Sequence, residues 1–395
     1  MDPLATILRL PATEREARGL VHTPLEISQQ PDTWWRTFEN LSQLAPQLEG
    51  FLRGAGIFND AQSRPSVFLI GAGTSDYIGR TIAPLLRSRW QCEVCAVAST
   101  DLLTCLDDYL VEGKSYVWIS FSRSGDSSEG VSVLEAALMQ RPEIQHIIVS
   151  CNREGRMARI VSERSNICQV ILDDEVNDRG LAMTSSFSNM VVAGQCLAHV
   201  QDLSAYGVTL KALIAAAREF LPVASEFAER AVTDGFTKLC FLGTGALHGV
   251  AVESALKVLE LTAGKISTFS ETFLGVRHGP LSAIDGETLV VGFVSGDRKR
   301  RSYELDLLEE IRAKKLAKGI VMIAPGISPD DQQRLAKIGV ILPLELAESD
   351  CYRPPVDVFI GQLFGLFASI KLGLKPDAPS PGGAISRVVS KVRIY

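Results

Sequence analysis

Glu253, Lys257 and Glu260 lie in one short run, Glu253-Ser254-Ala255-Leu256-Lys257-Val258-Leu259-Glu260, and His278 follows in Arg277-His278-Gly279-Pro280-Leu281. At ~100° per residue, positions 253, 257 and 260 of a helix fall within roughly 60° of arc. Two carboxylates and an ammonium on one face, with a histidine close behind, are the groups that open a sugar ring and move a proton between adjacent carbons. Glu260 sits in the apolar run Val258-Leu259-Glu260-Leu261, where a partly buried carboxylate suits general-base work. Lys257 is placed to tune that base or hold an oxyanion, and Glu253 to orient a ring. The same three residues also describe an ordinary i,i+4 ion pair on a solvated helix face. His278 stands in a stiff Gly-Pro turn, where a core histidine is not expected, and an imidazole ordinarily exchanges protons near neutrality. His22 and His146 read as peripheral, His199 as structural, and His248 as pointing off the 253/257/260 face.

Three loops have the chemistry to hold a phosphate. In Gly71-Ala72-Gly73-Thr74-Ser75, glycine lets backbone approach a ligand and Ser75 can cap the next helix. The dinucleotide fingerprint needs glycine at 76, where Asp76 stands, so a nicotinamide cofactor is disfavoured. Ser120-Phe121-Ser122-Arg123-Ser124-Gly125-Asp126-Ser127-Ser128 follows a strand and precedes a helix. Its hydroxyls at 122, 124 and 127, with free helix N–H groups, make an anion cradle; serines also cap helices for purely structural reasons. Asp178-Arg179-Gly180-Leu181-Ala182-Met183-Thr184-Ser185-Ser186 has similar chemistry, with Arg179 either a phosphate partner or a surface ion pair.

The elements that carry these residues repeat. Phe68-Leu69-Ile70-Gly71-Ala72-Gly73 returns as Cys240-Phe241-Leu242-Gly243-Thr244-Gly245, an apolar strand ending in GxG before a helical pattern. Tyr116–Ser120 and Thr288–Gly292 keep the same offset, and His146–Ser150 and Gly319–Ile323 nearly keep it. So long a period means duplicated domains. In each half, apolar runs alternate with helical patterns at 76–90, 127–140, 184–200, 246–263, 301–317 and 355–372, the signature of an α/β chain with parallel sheets. The expected boundaries are a helical lead-in at 1–55 packing on the first domain, a first domain at 56–205 with the phosphate loops, a helical connector at 206–236, a second domain at 237–375 and a tail at 376–395 docking near the site.

Bulk properties narrow the classes. The chain has 395 residues, 46% hydrophobic and 22% charged, as in a two-domain globular protein. A formal charge of -6 argues against nucleic-acid binding. The eight scattered cysteines fit free thiols in a reducing, cytoplasmic setting. Cys92 and Cys95 form a CxxC in what reads as a strand, with no second pair at zinc spacing, so no metal is expected. Asp2, Arg9, Glu14, Arg15 and Glu16 are unlike a signal peptide, and the apolar stretch 356–374 holds Asp357, Gln362 and Lys371 and reads as a buried helix, so no membrane contact is expected.

Together the two GxG half-domains, the Ser-x-Ser-Gly-x-Ser loop and the E-x-x-x-K-x-x-E helix before His278-Gly279-Pro280-Leu281 resemble the sugar isomerase (SIS) family. Asp178–Ser186, the run from Glu253 to Lys265 and the closing Arg387-Val388-Val389 resemble its AgaS subfamily, the tagatose-6-phosphate ketose/aldose isomerases or galactosamine-6-phosphate deaminase/isomerases. The resemblance runs from about residue 25 to the end and implies two tandem SIS domains, each a three-layer, flavodoxin-like αβα sandwich. It also implies that Gly73, Thr74, Ser75, Ser122, Arg123, Ser124, Ser127, Arg179 and Thr184 bind the substrate and its phosphate. Glu260 would shuttle a proton between C1 and C2, His278 would assist ring opening, often from a neighbouring subunit, and Glu253 and Lys257 would support them. No cofactor is required, and a homodimer or dimer of dimers with shared sites is expected.

The glutamine-dependent sugar-phosphate aminotransferases share this isomerase core but need an N-terminal glutaminase domain with a nucleophilic cysteine. Here Asp2 follows Met1, so release of ammonia is the expected direction. Arg387 and Lys391 stand near the position of those relatives' tail lysine without aligning to it. The expected activity is therefore deamination and isomerisation of a 2-amino-2-deoxyhexose 6-phosphate, galactosamine 6-phosphate ahead of glucosamine 6-phosphate. Alternatives are plain aldose–ketose isomerisation, a fructosamine-phosphate deglycase or a non-catalytic sugar-phosphate sensor.

Overall fold

The computed structural model describes residues 2–160, 164–388 and 392–394; Val389 and Lys391 lie outside them. Among the described residues, ten strands form two five-stranded parallel sheets. The first holds β1 (Ser66–Gly71), β2 (Val94–Ala98), β3 (Tyr116–Ser122), β4 (Gln145–Ser150) and β5 (Ile167–Ile171) in the order β2-β1-β3-β4-β5. The second holds β6 (Lys238–Leu242), β7 (Ser267–Glu271), β8 (Thr288–Phe293), β9 (Gly319–Pro325) and β10 (Val340–Leu344), and from its other edge reads β7-β6-β8-β9-β10. The two orders are the same, as a duplication requires. Central strands such as β1, β3 and β8 are buried along their whole length, which is why they appear in the sequence as continuous apolar runs. In each sheet an aromatic pair stacks across the first and third strands: Phe68 on Trp118 at 6.1 Å, and Phe241 on Phe293 at 6.4 Å.

The GxG turns confirm the repeat at the backbone. Gly73 has φ 55° and ψ -126°, Gly245 φ 62° and ψ -125°, a region closed to side-chain-bearing residues. A Cβ on Gly71 would lie 2.3 Å from the Ser75 carbonyl carbon, and one on Gly243 would lie 2.2 Å from the Leu247 oxygen. Each first glycine thus lets the following helix fold directly back on its strand.

The chain separates into two compact units. One holds the first sheet and comprises residues 32–178, 185–210 and 386–395; the other holds the second sheet and comprises 1–31, 179–184 and 211–385. The expected lead-in at 1–55 is therefore divided: residues 1–31 group with the second sheet, and 32–55 with the first. The partners of residues 1–31 are distant in sequence. The Thr23–Ser28 helix has no capping side chain of its own, and the Asp377 carboxylate takes the N–H groups of Val21 (2.7 Å), His22 (3.1 Å) and Thr23 (2.7 Å). The Asp377 backbone bonds to Gly19 and Leu181, and Gln30 donates to Gln362 at 2.7 Å. The helix expected at 301–317 begins earlier, at Arg298, because the Asp297 carboxylate accepts the Arg300 N–H and caps it. No helix among the described residues is long and apolar enough to cross a membrane.

Asp377→Ala strips a carboxylate from three consecutive N–H groups. Urea unfolding should show a loss of about 2–4 kcal/mol, and amide exchange at Val21 and Thr23 should accelerate. Unchanged exchange there would mean that other contacts hold the opening segment.

Candidate active site

The Ala246–Leu261 helix starts directly after Gly245. The Phe359–Lys371 helix packs closely against it through two glycines. A Cβ on Gly361 would stand 2.4 Å from the Ser254 Cβ, and one on Gly365 would stand 2.9 Å from the Lys257 carbonyl oxygen. That approach helps bury the face carrying Glu253 and Lys257, both 0% exposed. The Lys257 Nζ lies 3.3 Å from Glu253 Oε1 and 2.7 Å from Glu260 Oε2.

The three side chains form a line of charge from a buried end at Glu253 to Glu260, whose side chain is 24% exposed. Burial pulls the Lys257 pKa down, but the two carboxylates outweigh it and hold the ammonium above the usual lysine range. Lys257 is therefore a cation at neutral pH, fit to donate hydrogen bonds and unfit to take a proton. The surroundings of Glu260 differ from the apolar ones that Val258, Leu259 and Leu261 suggested, because its nearest polar neighbour is this ammonium. Glu260 Oε1 has no partner among the described residues.

His278 closes a short turn at Gly275–His278, ahead of Gly279 with φ 132°. Its imidazole is exposed and makes no hydrogen bond among the described residues. Arg277 beside it is tied to Glu310 at 2.9 Å, which anchors the turn.

In the first-sheet unit, β1 and β3 are neighbours from which the chain departs to opposite sides, the switch point where parallel sheets bind ligands. The loops after both strands open there. Thr74 and Ser75 begin the Thr74–Trp90 helix and are nearly buried. After β3, the Ser122 hydroxyl accepts the Gly125 N–H at 3.0 Å, and the Ser124 hydroxyl accepts the Asp126 N–H at 3.2 Å. A hydroxyl that accepts from its own loop keeps its proton to donate to an anion. Ser127 is the N-cap of the Ser128–Gln140 helix, yet its hydroxyl does not cap it, so first-turn N–H groups stay available.

Asn152, which sequence reasoning did not single out, steadies this loop by donating to the Ser124 carbonyl at 2.8 Å. Arg123 is buried and donates to the Arg387 carbonyl, so the tail takes up this side chain of the cradle. Arg387 in turn donates to the Asp178 carbonyl and the Asn177 side chain, each at 2.7 Å. The signal for this contact was in the sequence, an arginine between Ile385 and Val388 in the tail, but its partner was not.

The third loop behaves differently. Asp178 caps the Ser185–Ala198 helix by accepting the N–H groups of Ser185 and Ser186, both at 2.9 Å. Arg179 and Thr184 belong to the second-sheet unit. The Arg179 N–H is held by Glu26, and Thr184 is buried, its carbonyl accepting from Gln362 at 3.3 Å. The structure thus gathers Gly73, Thr74, Ser75, Ser122, Arg123, Ser124 and Ser127 in one unit, and Arg179, Thr184, Glu253, Lys257, Glu260 and His278 in the other.

Two other sequence readings change. His146 is not peripheral: it is 0% exposed on β4, edge-on to Trp118 at 5.6 Å, and burial lowers its pKa to about 4. A strand flanked by β3 and β5 has no exposed edge, so its polar residues are interior too. Cys92 precedes β2 while Cys95 lies within it, and burial pushes the Cys92 thiol up to about 11. His199 is buried and stacks on Tyr206 at 5.4 Å.

No family model matches the chain. It is 36% identical over 381 residues to the D-galactosamine-6-phosphate deaminase AgaS of Escherichia coli, spanning 94% of this chain and 95% of that protein. Among solved structures, the tagatose-6-phosphate ketose/aldose isomerase of Escherichia coli superposes with a TM-score of 0.84 at 34% identity, covering 94% of this chain and 96% of that one. A Clostridium novyi protein provisionally assigned as a tagatose-6-phosphate ketose/aldose isomerase gives a TM-score of 0.89 at 31% identity, covering 96% of each chain.

Lys257→Met removes the ammonium that faces the fully buried Glu253 carboxyl. It should cost about 3–5 kcal/mol in urea unfolding, and Glu253→Leu combined with it should restore most of that. Because the folded pKa of Lys257 is raised, its contribution is complete below the ordinary lysine value and is lost only as pH rises through the folded value. The cost should therefore be equal at roughly pH 6 and roughly pH 9; a cost that vanishes between them would exclude an ammonium here.

Proposed function

The chain belongs to the AgaS family of SIS enzymes, and we propose that it converts a 2-amino-2-deoxyhexose 6-phosphate, galactosamine 6-phosphate before its gluco epimer, to the ketose 6-phosphate and ammonia. The observation that carries this reading is the buried Glu253–Lys257–Glu260 line, which ends in a carboxylate with one oxygen fixed and one unpartnered among the described residues. It is the arrangement a proton shuttle needs and an ordinary surface ion pair lacks. The E. coli relative's name supplies the substrate.

In this scheme His278 assists ring opening. Glu260 takes the C2 proton and returns it to C1 through an enolamine, which leaves a ketimine at C2. Water adds to the C=N carbon, the C–N bond breaks, ammonia departs and the water oxygen becomes the ketone. Lys257 keeps the Glu260 carboxylate oriented, and Glu253 keeps Lys257 charged. Ser122, Ser124 and Ser127, with the Gly73–Ser75 turn, hold the phosphate through hydroxyl and backbone donors. Arg123 steadies the tail, and Arg179 and Thr184 belong to the framework of the second-sheet unit. We further infer a homodimer, because His278 is exposed without a partner among the described residues; a sedimentation mass of one chain would count against it.

The deciding assay follows ammonia and ketose together from galactosamine 6-phosphate, glucosamine 6-phosphate and plain hexose phosphates. Stoichiometric ammonia and ketose from an amino sugar is expected; ketose without ammonia would convert the reading to plain isomerisation. Glu260→Gln should lower kcat by at least about 10³-fold with substrate binding retained; near-normal turnover would remove Glu260 as the base. Ser124→Ala should raise KM about 5–50-fold with little change in kcat. An unchanged KM would place the phosphate elsewhere.

A further inference from the structure

The duplication gives the second sheet a crevice of its own. β6 and β8 are neighbours as β1 and β3 are, and Gly243–Gly245 and Val294–Asp297 leave their carboxyl ends as the two phosphate loops leave theirs. The two GxG backbones match closely. In the first-sheet unit the one carboxylate of the loop after β3, Asp126, turns to the Arg156 N–H at 2.9 Å and leaves the Ser122 and Ser124 hydroxyls alone.

In the second-sheet unit a carboxylate already sits on the loop. Asp350 Oδ2 accepts the Ser295 hydroxyl, and Oδ1 accepts the Gly296 N–H at 2.8 Å. Arg353 Nη1 donates to Oδ1 at 3.2 Å, and Arg300 Nη1 lies 3.4 Å from Oδ2. A hydroxyl, a loop N–H and two guanidinium groups are the donor set that grips a phosphate or carboxylate ligand. Asp350 is 4% exposed and Arg353 is 0% exposed.

The surroundings are built to hold that anion. Arg353 is fixed from behind by Asp357, at 2.8 and 3.1 Å, and by the Val294 carbonyl at 2.9 Å. Arg301, also buried, donates to the Ser295 carbonyl at 2.8 Å and the Pro325 carbonyl at 2.6 Å and so sets the loop. The Ser295 N–H is taken by Glu304 at 2.7 Å.

We propose that the second crevice is an oxyanion site that the chain fills from within. Asp350 occupies the place of a phosphate or carboxylate ligand, so each chain binds one sugar phosphate, and it binds it in the first-sheet unit. The single stoichiometry rests on the phosphate reading given above; the identity of the Asp350 pocket as an anion site does not.

The test is chemical rescue. Asp350→Ala removes the carboxylate and leaves space for a formate ion among donors that have lost their acceptor. In full-length protein its Tm should fall by roughly 5–10 °C. Potassium formate should restore at least half of that loss with saturation, and potassium chloride at equal ionic strength should not. Asp350→Asn, which keeps the pocket filled, should lose stability without responding to formate. Titration with inorganic phosphate should give one site per chain in the unaltered protein and two in Asp350→Ala.

A loss of stability in Asp350→Ala that neither formate nor phosphate repairs would overturn the proposal and leave only a structural ion-pair network. If the variant is recovered only as aggregate, the refolding yield with and without formate replaces Tm as the readout, and no gain with formate counts against the proposal. Formate rescue of Asp350→Ala together with no phosphate site in the unaltered protein would instead support the second crevice as an anion site and sink the phosphate reading of the first.

Discussion

The charged helix face of the second-sheet unit depends on its buried lysine. A lysine with no exposure is tolerated only when carboxylates replace the water it has lost, and Lys257 has Glu253 on one side and Glu260 on the other. Burial of that face requires a second helix at very short range, which Gly361 and Gly365 permit by having no side chain. Between those glycines stands Gln362, which accepts from Gln30 and donates to the Thr184 carbonyl. The helix that encloses the charged face therefore also carries, at Gln362, an attachment point for the opening segment and the 179–184 segment. This explains why pieces so far apart in sequence collect in one unit.

The duplication shows how one backbone can be put to two uses. Both copies keep the strand order and the GxG turn. In the first copy, the helix positions matching 253, 257 and 260 are Thr81, Leu85 and Ser88, which carry no charge, and the loop after β3 keeps its hydroxyl protons free to donate. In the second copy, the helix carries the charged line and the loop is committed to Asp350. On the function proposed above, each copy holds one of the two kinds of chemistry that phosphate-anchored proton transfer needs. A fold-level match alone gives no such division; it comes from a few side chains at equivalent positions.

Much of this was legible in the chain. The central strands are continuous apolar runs because both faces are covered, and the GxG turns mark where strand becomes helix. The edge strand β7, Ser267–Glu271, was not legible: it is polar and partly exposed and has neither an apolar run nor strict alternation. The grouping of residues 1–31 rests on Asp377, Gln362 and Ser225, single polar residues whose partners no periodicity announces. His146 misled because a histidine on a buried strand looks like a surface residue until its neighbours β3 and β5 are known. The face shared by 253, 257 and 260 followed from helical spacing. That it is interior, and so more than a surface ion pair, followed only from the packing of Gly361 and Gly365 against it.

A residue that lends and recovers a proton, the role proposed for Glu260, has two needs that pull against each other. It must be held in a fixed orientation, and its charge must not be cancelled by whatever holds it. A lone ammonium at 2.7 Å from Glu260 meets the first need and works against the second. Glu253, 3.3 Å from the same ammonium, draws part of its charge inward, so the three groups together remain one negative charge rather than none. With Glu253 fully buried, that compensation is barely screened by solvent, while Glu260 at the other end stays partly exposed. Glu253 thus acts on Glu260 through Lys257, and the order of the three along the helix, with both carboxylates beside a single cation, is what allows orientation and charge to coexist.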